Sequence, residues 1–209
     1  MIRRRARTGR LALVAVVAAL LAAPAGAAVQ RTPEALIERM QAGGTVIFLR
    51  HAATVQSQVD SGRLGDRAGQ RNLSETGREQ ARALGRAFRT LGIRFSRILA
   101  SPVFRARDTA ELAFAPEAVE VTMDIVADDY AGAELERMLE ATRRLLRTTP
   151  PPGRNLLLVG HRTPLEMVTR RAFPDSLLPE GAMAVFDPEG ERLLGTLPAD
   201  ALLQAAGGD

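Results

Sequence analysis

With 209 residues, 46% hydrophobic and 25% charged, the chain has the length and composition of an ordinary soluble globular protein with one substantial core. Cysteine is absent, which excludes disulfides, cysteine nucleophiles and thiolate metal sites. The formal charge of +4 and the pI near 10.9 suggest a nucleic-acid partner at first, but the excess of charge is local.

Arg3, Arg4, Arg5, Arg7 and Arg10 precede an unbroken apolar stretch from Leu11 to Ala23 and the run Pro24-Ala25-Gly26-Ala27-Ala28. A basic head, a short apolar segment and small residues of the Ala-x-Ala kind together predict a secretory signal peptide over residues 1–27, cleaved after Ala27. The apolar stretch falls short of the roughly 20 residues that span a bilayer. Residues 1–27 hold five of the 28 basic residues and none of the 24 acidic ones, so residues 28–209 carry 23 against 24, a net charge of −1. The expectation is an exported protein, periplasmic or extracellular, with a single domain over 28–209. No nucleic-acid partner and no stable membrane insertion after cleavage are expected, and an uncleaved anchor is the alternative. All 28 basic residues are Arg, which reads as compositional drift and gives arginine abundance little functional weight.

Residues 31–42 predict a short helix with Thr32 as N-cap and Pro33 at the first helical position, ended by Gly43-Gly44. A buried strand follows over Val46 to Leu49. From Ala52 to Asn72 the sequence turns polar and Gly-rich without periodicity, a connection long enough to be functional or mobile. A helix is predicted from about Ser74 to Thr90, with Ala81, Leu84, Ala87, Phe88 and Leu91 at helical spacing. Arg97 to Ala100 reads as a strand, Ser101-Pro102 as a turn, Phe104 to Phe114 as a helix and Val119 to Val121 as a third strand. Residues 133–147 predict an amphipathic helix, with Leu135, Met138, Leu139, Leu145 and Leu146 opposite Glu136, Glu140 and Arg144. After Thr148 to Gly153 come a strand over Leu156 to Val159, a helix over Pro164 to Phe173, and a hairpin of Ala182 to Phe186 and Arg192 to Leu197 turning at Pro188-Glu189-Gly190. Alternating strands and helices predict an α/β three-layer sandwich, a largely parallel central sheet flanked by helices on both faces.

The only two histidines, His51 and His161, each stand just past an apolar run that reads as a buried strand. Ligands of open α/β sheets collect beyond the carboxyl ends of strands, so two imidazoles placed this way can meet in one site. Arg50 sets a permanent cation beside His51, and a neutral imidazole can attack phosphorus while guanidinium groups stabilise the charge that develops on its oxygens. The turn Ser101-Pro102-Val103 delivers Arg105 to a helix start, where side chain and helix end both favour an anion. Arg107 reads as a helix-surface residue paired with Asp108 or Glu111.

These segments, with Arg71-Asn72-Leu73-Ser74-Glu75-Thr76-Gly77 and Gly160-His161, resemble the histidine phosphatase superfamily, also called phosphoglycerate mutase-like. The resemblance implies an α/β sheet fold and a cofactor-free, metal-free reaction through a phosphohistidine. It makes His51 the nucleophile, with Arg50, Arg105 and His161 forming the phosphate pocket. Two positions depart from the pattern. Ala52 stands where the family has glycine, and Arg162 follows the second histidine where the larger branch has Asp, so the chain resembles the smaller branch. The proton donor is then a carboxylate elsewhere; the matching loop holds Asp124, Asp128 and Asp129, of which Asp128 or Asp129 is expected to act. Thr54 is a candidate phosphate ligand, with a structural turn role as the alternative.

The function expected is that of an exported phosphomonoesterase acting on a small phosphorylated metabolite or an envelope sugar phosphate. A non-catalytic phosphate-binding or envelope-interaction protein that kept the pocket is the alternative. A zinc hydrolase is disfavoured, because the two histidines lack a helical His-Glu-x-x-His arrangement.

Overall fold

The computed structural model describes residues 30–188 and 192–207. The predicted signal segment and residues 189 and 190 of the predicted hairpin turn lie outside the described residues. Among the described residues, no helix is long and apolar enough to cross a membrane.

Helix α1 (Pro33–Ala42) starts as its sequence predicts, with the Thr32 hydroxyl accepting from the Ala35 N–H. It ends at Gly43, whose φ of 80° suits glycine. Strand β1 (Val46–Arg50) follows, then the irregular connection, pinned at its two ends by a bridge between Thr54 and Leu73. Ser74 caps helix α2 (Glu75–Thr90) by accepting from the Gly77 N–H at 3.0 Å. Gly77 is required here because a Cβ would stand 1.9 Å from the Ala53 carbonyl oxygen.

Strand β2 (Phe95–Ala100), helix α3 (Phe104–Phe114) and the two-residue strand β3 (Glu120–Val121) come next. A single helical turn, α4 (Asp128–Ala131), leads into α5 (Leu135–Leu146). Of the apolar face predicted for α5, Met138, Leu139 and Leu146 are buried, while Leu135 and Leu145 are partly exposed. Strand β4 (Asn155–Gly160), helix α6 (Arg162–Thr169), the hairpin of β5 (Met183–Asp187) and β6 (Arg192–Leu197), and helix α7 (Ala199–Ala205) complete the chain.

The helix predicted over Pro164 to Phe173 is corrected in both bounds. It begins at Arg162 and ends at Thr169, where Arg170 turns left-handed at φ 51°. The ensuing Phe173 is fully buried, and Pro174 behind it disfavours helical backbone at that residue.

The six strands lie in the order β3-β2-β4-β1-β5-β6. The first four are parallel to one another, whereas β5 is antiparallel to both β1 and β6. Side chains alternate between two cores. Ile47 and Leu49, with Leu157 and Val159, meet α1, α2, α3 and α7, whereas Val46 and Phe48, with Leu156 and Leu158, face Leu146 of α5 and Leu165 of α6. Burying each such side chain contributes about 1.5–3 kcal/mol. Both faces being apolar, pattern alone does not select the register of β1 on β4. A polar contact does, since the buried Thr45 hydroxyl donates to Asn155 Oδ1 at 2.6 Å and Asn155 Nδ2 donates to the Met40 carbonyl at 2.7 Å. That register sets Arg50 opposite Gly160.

Candidate active site

Because Arg50 pairs with Gly160, the next residue on each strand is a histidine, and the rings of His51 and His161 lie 5.5 Å apart at 53°. On the far side of β4, Ser101 continues β2 and the turn into α3 brings Arg105 to the same place. Arg50, His51, Arg105 and His161 form the floor of a cavity of about 250 Å³. Asp60 and Arg71 of the irregular connection, with Asp128 and Asp129 of α4, form its roof; Ala127, Arg162 and Thr163 complete the wall.

His51 Nδ1 lies 2.9 Å from the Ala52 carbonyl oxygen. A carbonyl can only accept, so Nδ1 carries the hydrogen and Nε2 keeps its lone pair. Burial holds the imidazole pKa well below its usual value. Arg105 reinforces this, the Ala52 bond opposes it, and Arg50 and Arg71 add to the lowering. His51 is therefore neutral at physiological pH, the form in which it is a nucleophile.

Ala52, where the family has glycine, is not among the described residues with positive φ, and its methyl is buried against Leu73 and Ala81. Its N–H donates to Thr109 Oγ1 at 2.9 Å, and that hydroxyl donates to the Arg105 carbonyl at 2.6 Å.

His161 Nε2 meets the Ser101 hydroxyl at 2.8 Å, and Ser101 Oγ also accepts from the Val103 N–H at 3.3 Å. With the serine donating to Nε2, the ring hydrogen stands on Nδ1. Burial and then Arg105 push the His161 pKa well down, with smaller contributions from His51, Arg71 and Arg50. His161 therefore offers a neutral hydrogen-bond donor, and the charge comes from the arginines.

Arg50 Nη1 donates to Asp175 Oδ1 at 2.5 Å and to the Leu178 carbonyl at 2.7 Å. Arg105 Nη1 straddles the Asp60 carboxylate at 2.9 and 3.0 Å. Asp60 also accepts from the Tyr130 hydroxyl at 2.6 Å and the Arg71 N–H at 3.0 Å. Burial alone would raise the Asp60 pKa, but these donors and the Arg105 charge outweigh it and hold the carboxyl below its usual range. Among the described residues, four buried side-chain polar atoms have no partner: Nε of Arg50, Arg71 and Arg105, and Nδ1 of His161. All four belong to residues lining this cavity. Three guanidinium groups, of Arg50, Arg71 and Arg105, meet at this cavity and mark a place for an anion.

Of the three candidate carboxylates, Asp128 and Asp129 line the cavity. Asp124 does not line it and pairs with Arg137 at 3.0 Å. Partial burial raises the Asp129 pKa against the pull of Arg105, and the charges of Asp60 and Asp128 raise it further. Thr54 was a candidate phosphate ligand with a structural turn role as the alternative, and its position favours the structural role. Thr54 does not line the cavity, and its hydroxyl and N–H both donate to Glu180, at 2.7 and 3.0 Å. Arg107 pairs with Glu111 at 2.6 Å, as read from its helical spacing.

Sequence reasoning missed Asp60, Arg71, Asp175 and Glu180. Arg71 alone had a signal, standing directly before the Asn72-Leu73-Ser74 start of α2. The other three come from stretches without periodicity and are placed by tertiary contacts. Among the described residues, no group of three or more His, Cys, Asp or Glu side chains could hold a metal ion.

Residues 46–128 match the family model of the histidine phosphatase superfamily, branch 1. Over these residues the chain is similar to that superfamily. The match spans the cavity floor from β1 through Arg105 and the roof as far as Asp128. The fold resembles that of the protein histidine phosphatase SixA solved with tungstate, at 17% identity and a TM-score of 0.52, over 76% of this chain and 99% of that one. A protein of Agrobacterium tumefaciens assigned as the phosphohistidine phosphatase SixA matches at 24% identity and a TM-score of 0.49, over 74% of this chain and 97% of that one. A mycobacterial glucosyl-3-phosphoglycerate phosphatase matches at 19% identity and a TM-score of 0.45, over 68% and 89% of the respective chains. No curated protein matches the chain in sequence.

Proposed function

We propose that the protein is an exported, metal-independent phosphomonoesterase that turns over through a phosphohistidine at His51. The convergence of Arg50, Arg71 and Arg105 with two neutral histidines on one cavity carries this reading. The charge of a phosphoryl group is matched by these arginines, which remain protonated at any physiological pH. In the first step the Nε2 lone pair forms a bond to phosphorus as the phosphorus–oxygen bond to the leaving group breaks, its electron pair going to that oxygen. Asp129, whose carboxyl is held protonated more readily than usual, gives the departing oxygen a proton. In the second step water, losing its proton to Asp129, attacks phosphorus and the nitrogen–phosphorus bond returns its pair to Nε2.

Guanidinium groups provide the charge stabilisation that a metal ion would otherwise supply. Export rests on the sequence of residues 1–27, and an exported location favours a small phosphorylated metabolite or an envelope sugar phosphate as substrate. Phosphate release from p-nitrophenyl phosphate by the purified protein, in the presence of chelator, tests the chemistry. Activity in His51→Ala would sink the phosphohistidine step, and loss with chelator would sink metal independence. Mass spectrometry of the secreted protein tests export, with a mature N-terminus at Ala28 as the expected result.

A further inference from the structure

Glu180 stands behind the nucleophile, outside the cavity lining, and its side chain is only 15% exposed. Its Oε1 lies 4.0 Å from His51 Nδ1, 3.9 Å from Arg50 Nη2 and 3.7 Å from Arg71 Nη2. Thr54 fixes both carboxylate oxygens through its hydroxyl and N–H, and Gln56 Nε2 approaches them at 3.3 and 3.5 Å. The backbone around Glu180 is tied to the same place. The Gly181 N–H donates to the His51 carbonyl at 2.9 Å, and Gln80 Nε2 donates to the Glu180 carbonyl at 3.3 Å while its Oε1 accepts from the Ala53 N–H.

We propose that Glu180 is a positioning residue for phosphoryl transfer, a fixed anion that compensates the charge appearing on the His51 ring and holds Arg50 and Arg71 toward the phosphate. The inference rests on the phosphohistidine reading. When Nε2 bonds to phosphorus while Nδ1 keeps its hydrogen, the ring becomes a cation in surroundings that already hold Arg50, Arg71 and Arg105. His161, the other titratable group facing the ring, is neutral and offers no compensation. Glu180 is the carboxylate recorded within 4.0 Å of the Nδ1 side. It takes no proton and touches no reacting atom. By favouring the protonated ring in the phosphoenzyme, it keeps neutral imidazole as the leaving group when water attacks.

The test compares the wild type with Glu180→Gln and Glu180→Asp in the full chain. The readouts are kcat and KM for p-nitrophenyl phosphate from pH 5 to 9, acid-labile phosphoenzyme trapped by quenching, and thermal melting. The expected result for Glu180→Gln is a kcat about tenfold lower with KM within about twofold, and an alkaline limb of kcat moved about one unit to lower pH. The direction follows because removing the anion makes the phosphorylated ring easier to deprotonate. Glu180→Asp, which keeps the charge, should recover most of kcat. A Glu180→Gln kcat within about twofold of wild type and an unmoved alkaline limb would overturn the proposal. So would loss of kcat with matching loss of melting temperature, raised KM and no recovery in Glu180→Asp, which assigns Glu180 to the fold alone. Absence of any His51-dependent phosphoenzyme in the wild type overturns the underlying reading and this one with it.

Discussion

The floor and the roof of the cavity are built in opposite ways. Arg50, His51 and His161 stand at the ends of central parallel strands buried on both faces, and Arg105 opens the helix that follows the neighbouring strand. Asp60, Asp128 and Asp129 hang from an irregular connection and a single helical turn. The floor is cationic and held by the sheet, whereas the roof is mostly anionic and held by a few hydrogen bonds. Phosphoryl chemistry needs a fixed electrostatic environment, which the floor provides, while proton delivery and choice of leaving group tolerate the looser roof.

That contrast orders the expected effects of substitution. His51→Ala removes the proposed nucleophile and should lower kcat/KM for p-nitrophenyl phosphate by about 10⁴-fold or more. Arg105→Ala, also on the floor, should cost about 10³-fold on the same substrate, a loss the roof cannot replace. Asp129→Asn should depend on the leaving group, with about 10²-fold loss on an alkyl phosphate and less than about threefold on the aryl one. Equal losses on both substrates would remove Asp129 from proton transfer and erase the division of labour between the halves.

Stability should respond to pH through the floor. Both histidines have folded pKa values below the unfolded one, so below about pH 6.5 the unfolded chain binds more protons than the folded one. Stability is fully present above that pH and declines as pH falls, by at most about 1.4 kcal/mol per pH unit for each histidine. Denaturant melts from pH 7 to 5 check this, and His161→Gln should make the slope shallower. The smallest effect belongs to the roof. Asp60→Asn removes an anion that occupies Arg105, so inorganic phosphate should inhibit about threefold more tightly, measured as a competitive Ki. A weaker phosphate affinity would show instead that Asp60 serves to hold Arg105 in place.

How much of this was legible beforehand follows the same division. The unbroken apolar runs before His51 and His161 marked central strands, and Thr32 and Ser74 marked helix starts, because caps and strand burial are local properties. Helix α3 was readable over its full length although its N-cap, Val103, makes no side-chain cap bond. The end of α6 was not, since a buried Phe173 looked like one more helical apolar position when it joins Leu165 in the same core only after a left-handed turn. Helix α7 went unread, and the sequence did not decide between a pocket and a structural role for Thr54, whose hydroxyl donates to Glu180. Asp60 lies in a stretch with no period to read, and only the packing of that stretch over Arg105 reveals its place.

Ala52 carries one more consequence. Its carbonyl decides which nitrogen of His51 is free, and a glycine at that position would enlarge the conformational entropy of the unfolded chain around the nucleophile. Alanine in a backbone conformation open to it removes that freedom in advance, a gain of about 0.4–1 kcal/mol that no contact in the folded molecule displays. In a chain with no cysteine to cross-link this segment, part of the nucleophile's order is already present before folding begins.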